Sequence, residues 1–424
     1  YPIKKWAAAA ALFAATFYLL LSGAEVATQR SYIMIAIVLV GVMADRPALT
    51  FRTLAVAAFA VLLLAPEAVV HPSFQMSFAA TLALVAAYRN GLPWRAGADS
   101  SLGARAALWG GREIAGLVLA SLVAGLATTP YAAFHFHRLA PYGVLANLAA
   151  MPVVSAWVMP MGILGTLAMP LGFDGLFWPL MGLGIDWMVT VALRVAALPG
   201  AVGHVHAFGA GPLLLATAGL LLIAMLRTPL RWSGAGLALV AGLWVAATPR
   251  PDLLVSADGQ SVALRQADGR LAILHAGRDS FTLRDWLAAD GDSRILKDDS
   301  LKAGVRCDAI GCAGRFANGK VAAFSETIEA LAEDCSRAAV VVTPREAPAK
   351  CQALLIDRAS WRARGASSLR WTSGAPILEW ARPAGEERPW SGLRAPTTIA
   401  VPSATRRPAQ RDATPPDSAR EADD

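Results

Sequence analysis

Apolar residues dominate the first 248 positions and fall into runs near 7–21, 31–44, 53–70, 74–88, 112–130, 143–168, 176–199, 211–226 and 233–248. Stretches this apolar predict helices that face lipid or are buried on all sides. Several are shorter than the roughly 20 residues a helix needs to cross a bilayer. The 31–44 and 74–88 runs therefore call on their flanks, on tilt or on a re-entrant path. The 143–168 run contains Pro152 and Pro160, with Pro170 just beyond. A proline inside a helix removes a backbone hydrogen bond. This run reads as one broken helix or as two half-helices, a form tolerated where protein or a watery cavity covers the freed backbone.

The pattern changes after residue 250. "PDLLVSADGQSVALRQADGRLAIL" has apolar-rich stretches separated by Asp-Gly at 258–259 and 268–269, a strong hairpin signal. "FTLRDWLAADGD" predicts a short helix. "SETIEALAEDC" (325–335) predicts another, with Ile328, Leu331 and Cys335 on one face. "AAVVVTP" reads as a buried strand. From about 381 the chain is rich in Pro, Arg, Ala, Thr and Asp with little apolar content, and reads as disordered. The expected fold is a polytopic α-helical membrane protein of about eight or nine membrane segments, some broken or re-entrant. A small α/β or α+β domain outside the cytoplasm follows, then a disordered C-terminus. The expected boundaries are 1–248, 249–380 and 381–424.

Charge sharpens that division. The chain is 55% hydrophobic and 16% charged, against about 25% charged in soluble domains. Residues 1–250 hold 14 Lys/Arg and 7 Asp/Glu, whereas residues 251–424 hold 24 of each. The net charge of +7 thus belongs wholly to the apolar part, where basic loops mark the cytoplasmic side. Lys4 and Lys5, Arg46 and Arg52, the 89–111 loop with Arg89, Arg95 and Arg105, and the Arg227–Arg231 turn alternate with loops whose fixed positive charges are Arg30 and Arg138. Nine crossings satisfy that alternation and place residues 249–424 outside the cytoplasm; a re-entrant 143–168 run would change the parity. The first residue is Tyr1, and we read the chain as the distal piece of a longer protein.

A polar group in hydrocarbon is costly unless packed, paired or wetted, so candidate chemistry lies where polar residues interrupt the apolar runs. "HPSFQMSFAA" places His71, Gln75 and Ser77 at the mouth of a helix opened by Pro72. "TTPYAAFHFHRLAPYGVLANLAAMP" holds His135, His137 and Arg138 between two segments and Asn147 inside the second. Packing, interhelical hydrogen bonding and the lining of a wet path all remain open for these residues. Asp186 is ionisable inside a crossing, and Arg194 lies two turns further on. The Gly-rich runs "GAGPLLLATAGL" and "SGAGLALVAGLW" predict close helix packing. Cys307, Cys312, Cys335 and Cys351 all lie in the tail. Disulfides are permitted outside the cytoplasm, with three possible pairings, and the spacing fits no compact zinc ribbon. No Walker A sequence, nucleophile elbow or HExxH stands in the chain. No metal site and no cofactor is expected.

Two of these stretches carry a resemblance. "RTLAVAAFAVLLLAPEAVV" with "HPSFQMSFAATLALVA", and "TTPYAAFHFHRLAPYGVLANLAAMPVVSAWVMPMGILG", are similar to the competence region of the ComEC family, as is the "ALPG" at 197–200. The resemblance covers about residues 10–248. It implies an inner-membrane channel that imports one DNA strand during natural transformation. A DNA receptor or uptake pilus would act outside and a helicase or translocase motor inside, with an OB-like domain upstream. It also raises His71, Gln75, Ser77 and Asn147 as path residues, with Arg112, Arg138 and Arg194 offsetting phosphate charge and Trp157, Trp178 or Trp187 offering rings for base stacking. Many members end in a metallo-β-lactamase-like domain. Here His275 is the sole histidine after residue 250 and no HxHxDH sequence exists. The resemblance thus implies a degenerate, His-poor tail without nuclease activity. The residues alone leave two other readings: a transporter or flippase for a small or lipid-linked substrate, which if coupled to an ion should bury Asp186 beside the broken helix, and a membrane-anchored interaction domain.

Overall fold

The computed structural model describes residues 2–46, 50–89, 102–347, 351–373 and 375–383. The apolar runs become helices: α1 (Ile3–Leu21), α2 (Val26–Met43), α3 (Phe51–Leu64), α4 (Pro72–Arg89), α5 (Leu102–Phe136), α6 (Gly143–Val153), α7 (Met159–Ala168), α8 (Phe177–Ala196), α9 (Ala210–Met225) and α10 (Ser233–Ala246). Four stretches are long and apolar enough to cross a bilayer: Ile3–Leu21, Glu113–Phe136, Gly143–Leu171 and Asp174–Ala196. Thr28–Met43, Phe51–Leu64 and Ala210–Met225 are shorter and equally apolar. Their large side chains point outwards; Phe13 is 76% and Leu64 76% exposed. Exposed apolar surface on this scale marks a polytopic membrane protein.

Local chemistry sets the boundaries. The 53–70 run divides at Ala65–Pro66, where a short 3-10 turn (Pro66–Val70) follows α3. Thr50 caps α3, accepting the Thr53 N–H at 3.2 Å while the Thr53 hydroxyl accepts the Thr50 N–H at 3.0 Å. Pro72 opens α4 as predicted. The 143–168 run departs from expectation. It continues through Pro152 and Pro160 as α6, a π-helical turn (Val154–Val158) and α7. The π turn absorbs the donor lost at proline by widening the ladder, so the chain bulges and does not split into half-helices.

A two-stranded ribbon, β1 (Arg138–Leu139) with β2 (Gly203–His204), lies among the helices, and the C-terminal region is a two-sheet sandwich. One sheet has the order β12-β11-β3-β4-β5, with β3 (Leu253–Val255), β4 (Val262–Arg265), β5 (Leu271–His275), β11 (Ser367–Thr372) and β12 (Ala375–Trp380). The other has the order β10-β9-β8-β7-β6, with β6 (Val305–Cys307), β7 (Gly311–Arg315), β8 (Val321–Ser325), β9 (Val340–Val342) and β10 (Leu354–Ile356). Both Asp-Gly pairs turn hairpins, Gly259 at φ +67° and Gly269 at φ +76°, conformations that favour glycine. Leu253, Val262, Leu264 and Leu274 meet Phe324, Val340, Val342 and Ile356 between the sheets. The predicted buried strand is β9: Val340 and Val342 face that core, while Val341 packs outward against Leu331 and Cys335.

Helices α11 (Ser280–Asp290), α12 (Ile328–Arg337) and α13 (Arg358–Arg364) complete the domain. In α12, Leu331 and Cys335 are buried as predicted, but Ile328 is 60% exposed. Thr327 is the N-cap, so Ile328 falls in the first turn and Ala330 shares the buried face instead. The cysteines pair Cys307–Cys312, across the β6–β7 register, and Cys335–Cys351, linking α12 to the segment before β10. From residue 384 the predicted disordered tail lies outside the described residues.

Candidate functional site

The α4 N-terminus and the α5 C-terminus bring together polar groups that lie sixty positions apart in the chain. Gln75 donates its Nε2 to the Val69 carbonyl at 2.9 Å. Its Oε1 lies 2.8 Å from His135 Nε2. The amide orientation makes Oε1 an acceptor, so His135 Nε2 carries the proton in that bond. His71 is exposed one turn away, its Nδ1 accepting the Ser73 N–H at 3.3 Å. Below them Ser77 donates to the Met34 sulfur of α2 at 3.8 Å, and Tyr131 Oη meets Thr217 Oγ1 of α9 at 3.0 Å. Polar contacts thus link α2, α4, α5 and α9.

Arg30, counted in the sequence as a loop charge, lies within α2 and is 8% exposed. Its Nε and Nη1 are buried with no hydrogen-bond partner among the described residues. It stands one turn before Ile33 and Met34, which reach the α3–α4 packing and Ser77. A buried guanidinium without a counter-charge costs several kcal/mol, of order 3–5. No sequence signal marked it, because α2 begins earlier than its apolar run does.

The other expected residues lie elsewhere. Asn147 is exposed on α6, and its side chain makes no hydrogen bond among the described residues. Asp186 and Arg194 are exposed on α8, where the Asp186 carbonyl accepts the Thr190 hydroxyl at 2.8 Å. Each candidate stacking ring makes a hydrogen bond through its N–H: Trp157 to Leu180 O at 2.7 Å, Trp187 to Ala149 O at 3.1 Å, and Trp178 to Asp174 Oδ2 at 2.9 Å. The Arg112 side chain lies outside the described residues.

Arg138 belongs to a two-stranded ribbon, β1 (Arg138–Leu139) with β2 (Gly203–His204). This ribbon meets the C-terminal domain. Ala207 N–H donates to Ala289 O of α11 at 2.6 Å. Just before the ribbon, His137 has φ +56° and a buried Nδ1 without a partner among the described residues. Burial pushes its imidazole below the ordinary value, opposed by Asp285 of α11 and the Ala133 carbonyl. α11 is itself held by a buried ion pair from Asp290 to Arg265 of β4. Arg265 also donates to Pro251 O at 2.9 Å and Gly269 O at 2.8 Å.

The C-terminal domain holds no group of three or more His, Cys, Asp or Glu placed to bind a metal ion among the described residues. His275 stacks on Phe324 with centroids 3.8 Å apart, and its Nδ1 lies 2.5 Å from Gln260 O. Among the described residues the domain shows no ligand cluster of the kind that metal-assisted hydrolysis requires.

Residues 1–230 match the family described as Competence protein. Neither the curated proteins nor the solved structures gave a match.

Proposed function

This chain belongs to the competence protein family, and we propose that it forms an inner-membrane channel that imports single-stranded DNA during natural transformation. The observation that carries this reading is the polar set Gln75, His135 and His71, together with Arg30, inside an otherwise apolar helical region. Strand passage needs a wetted path and a few weakly held cations, because dense phosphate contacts would trap the strand. A guanidinium whose Nε and Nη1 are buried without a partner among the described residues is a group that a passing phosphate can satisfy.

In this reading nine segments cross the bilayer, with α2, α3, α9 and α10 among those that are short for it. The C-terminal domain lies in the periplasm, an assignment supported by its two disulfides, since such bonds persist in oxidising compartments. Its two facing sheets with outer helices suit a metallo-β-lactamase-like sandwich that has lost its ligands. DNA would arrive from a receptor or uptake pilus outside and be drawn by a helicase or translocase motor inside. The alternative is a transporter for a small or lipid-linked substrate; its coupled-ion form calls for Asp186 buried beside a broken helix, and the exposure of Asp186 on α8 lends that form no support.

The test is uptake of labelled duplex DNA by cells carrying Arg30→Met or Gln75→Ala protein at wild-type membrane levels. Replacing a buried unpaired charge by an apolar side chain is neutral or stabilising. Arg30→Met should therefore melt at or above the wild-type temperature yet pass about ten- to a hundredfold less DNA to the cytoplasm, one lost charged contact being worth about 1.5–3 kcal/mol. Gln75→Ala should likewise leave DNA stalled in the periplasm. Wild-type transfer in a strain lacking the protein would remove the import reading altogether.

A further inference from the structure

A cavity of about 410 Å³ opens where the ribbon of the membrane region meets α11. Its size lies within the roughly 300–1,000 Å³ range of small-ligand sites. Arg138 and His204 line it from the ribbon, Ser280 and Arg284 from α11, and Asp292 and Ile295 from the segment after α11. Two stretches of chain that fold into different regions therefore supply its walls.

The charges in this cavity are unequal. Arg294, also in the wall, is fully engaged: its Nη2 meets Asp292 Oδ2 at 2.6 Å and Leu271 O at 2.6 Å, and its Nη1 meets Ser300 Oγ at 3.2 Å. The only carboxylate in the wall among the described residues is Asp292, and that same arginine holds it. Burial disfavours the charged form of Asp292, but bonds from Arg294 keep its carboxyl below the ordinary range. Arg284 reaches back to Ser280 with Nε at 3.2 Å from the carbonyl and Nη2 at 3.1 Å from the hydroxyl. Its Nη1 has no partner among the described residues. The Arg138 side chain is exposed and makes no hydrogen bond or ion pair among them. Two guanidinium groups with donors to spare thus face one concavity that offers no free carboxylate. Leu287, Ile295 and Leu296 give it an apolar side; Ile295 is 68% exposed.

We propose that this cleft binds single-stranded nucleic acid, with a phosphodiester bridged between Arg138 and Arg284 and a base laid against Ile295. The inference rests on the DNA-import reading and adds to it a docking point at the junction of the C-terminal domain and the membrane helices. Guanidinium forks match phosphate oxygens, and an apolar wall beside them suits the flat face of a base. An anionic lipid headgroup would use the same cations. The polar wall from the soluble domain, including Ser280 and the Asp292–Arg294 pair, favours the strand.

The experiment measures anisotropy of a labelled oligothymidylate of about ten nucleotides on the full chain in phosphatidylcholine nanodiscs, across a salt series. The Arg138→Gln/Arg284→Gln variant should bind about ten- to a hundredfold more weakly. Its log–log salt slope should be shallower by about 0.7, the value for one phosphate no longer neutralised on a single strand. Both side chains are exposed, so the melting temperature should hold. Arg284→Glu serves as a second variant should the double one fail to fold, and it should weaken binding at least as much as loss of that one contact. Wild-type affinity and slope in these variants would overturn the proposal, as would failure of the wild-type chain to bind the oligonucleotide. Loss of phosphatidylglycerol binding with oligonucleotide binding intact would reassign the cleft to lipid and equally overturn it. Failure of the import reading shows separately, as normal transformation in a strain without the protein.

Discussion

His137 concentrates the physics of the junction in one residue. Its backbone takes a left-handed conformation, its carbonyl accepts the Val205 N–H at 3.1 Å, and its Nδ1 is buried without a partner among the described residues. Burial lowers its pKa while Asp285 and the Ala133 carbonyl pull upward. A base whose folded pKa is depressed binds fewer protons when folded than unfolded. Stability therefore rises with pH between the folded value and the unfolded value of about 6.5, and is lost as pH falls through that window. The melting temperature of the full chain should drop on acidification from neutral pH, and His137→Gln should show a smaller drop. Equal slopes in the two proteins would mean the imidazole titrates alike in both states. The sequence marked His137 together with His135, as neighbouring polar residues between two apolar segments. In the structure the two rings serve different neighbours: His135 faces Gln75 across the helices, and His137 lies by the ribbon and α11.

At the scale of elements, α9 and α10 show how small residues set a helix crossing. A Cβ on Gly219 would lie 2.6 Å from the Gly234 carbonyl oxygen, so the two backbones touch where side chains are missing. Gly236, on the same helix as Gly234, has nothing within 4 Å of its Cβ position. Gly219→Ala should therefore destabilise by about 1–3 kcal/mol through overpacking. Gly236→Ala should be neutral or stabilising by up to about 1 kcal/mol through helix propensity. Thermal melts of the two proteins in one detergent check the pair, and a common shift would mean the crossing tolerates spreading. The Gly-rich composition of both runs made this packing legible. The prolines of the 143–168 run misled for an equally physical reason. Proline's missing donor is visible in sequence, but whether the ladder breaks or widens into a π turn depends on the neighbours that hold the helix together.

At the scale of the whole molecule, two differently built parts share one chain. The membrane helices turn large apolar side chains outward, while the sandwich buries Leu253, Val262 and Phe324 almost completely. The sandwich is also clamped covalently. The Cys335–Cys351 bridge spans 16 positions and the Cys307–Cys312 bridge spans 5. Loop-closure entropy makes the longer clamp the stronger, about 3 kcal/mol, with the shorter about 1 kcal/mol less. Denaturant unfolding of Cys335→Ala/Cys351→Ala protein should show the larger loss. A larger loss from Cys307→Ala/Cys312→Ala would mean that the unfolded chain is not the state these bonds restrain.

Local chemistry was enough to read much of this protein. The apolar runs implied the membrane helices, the Asp-Gly pairs implied the hairpins, and the valine run implied a buried strand, because each depends on neighbours a few residues away. The competence-type stretches were legible for the same reason, being contiguous. Contacts between distant positions were not legible. Gln75 with His135, Arg265 with Asp290, the cysteine pairing and the cleft that Arg138 and Arg284 both line depend on which surfaces pack together. Arg30 shows the limit most clearly: its charge was plain in the sequence, but its burial exists only once α2 is set against its neighbours. Periodicity and turn propensity are properties of short stretches of chain, whereas burial and partnership belong to the packed molecule.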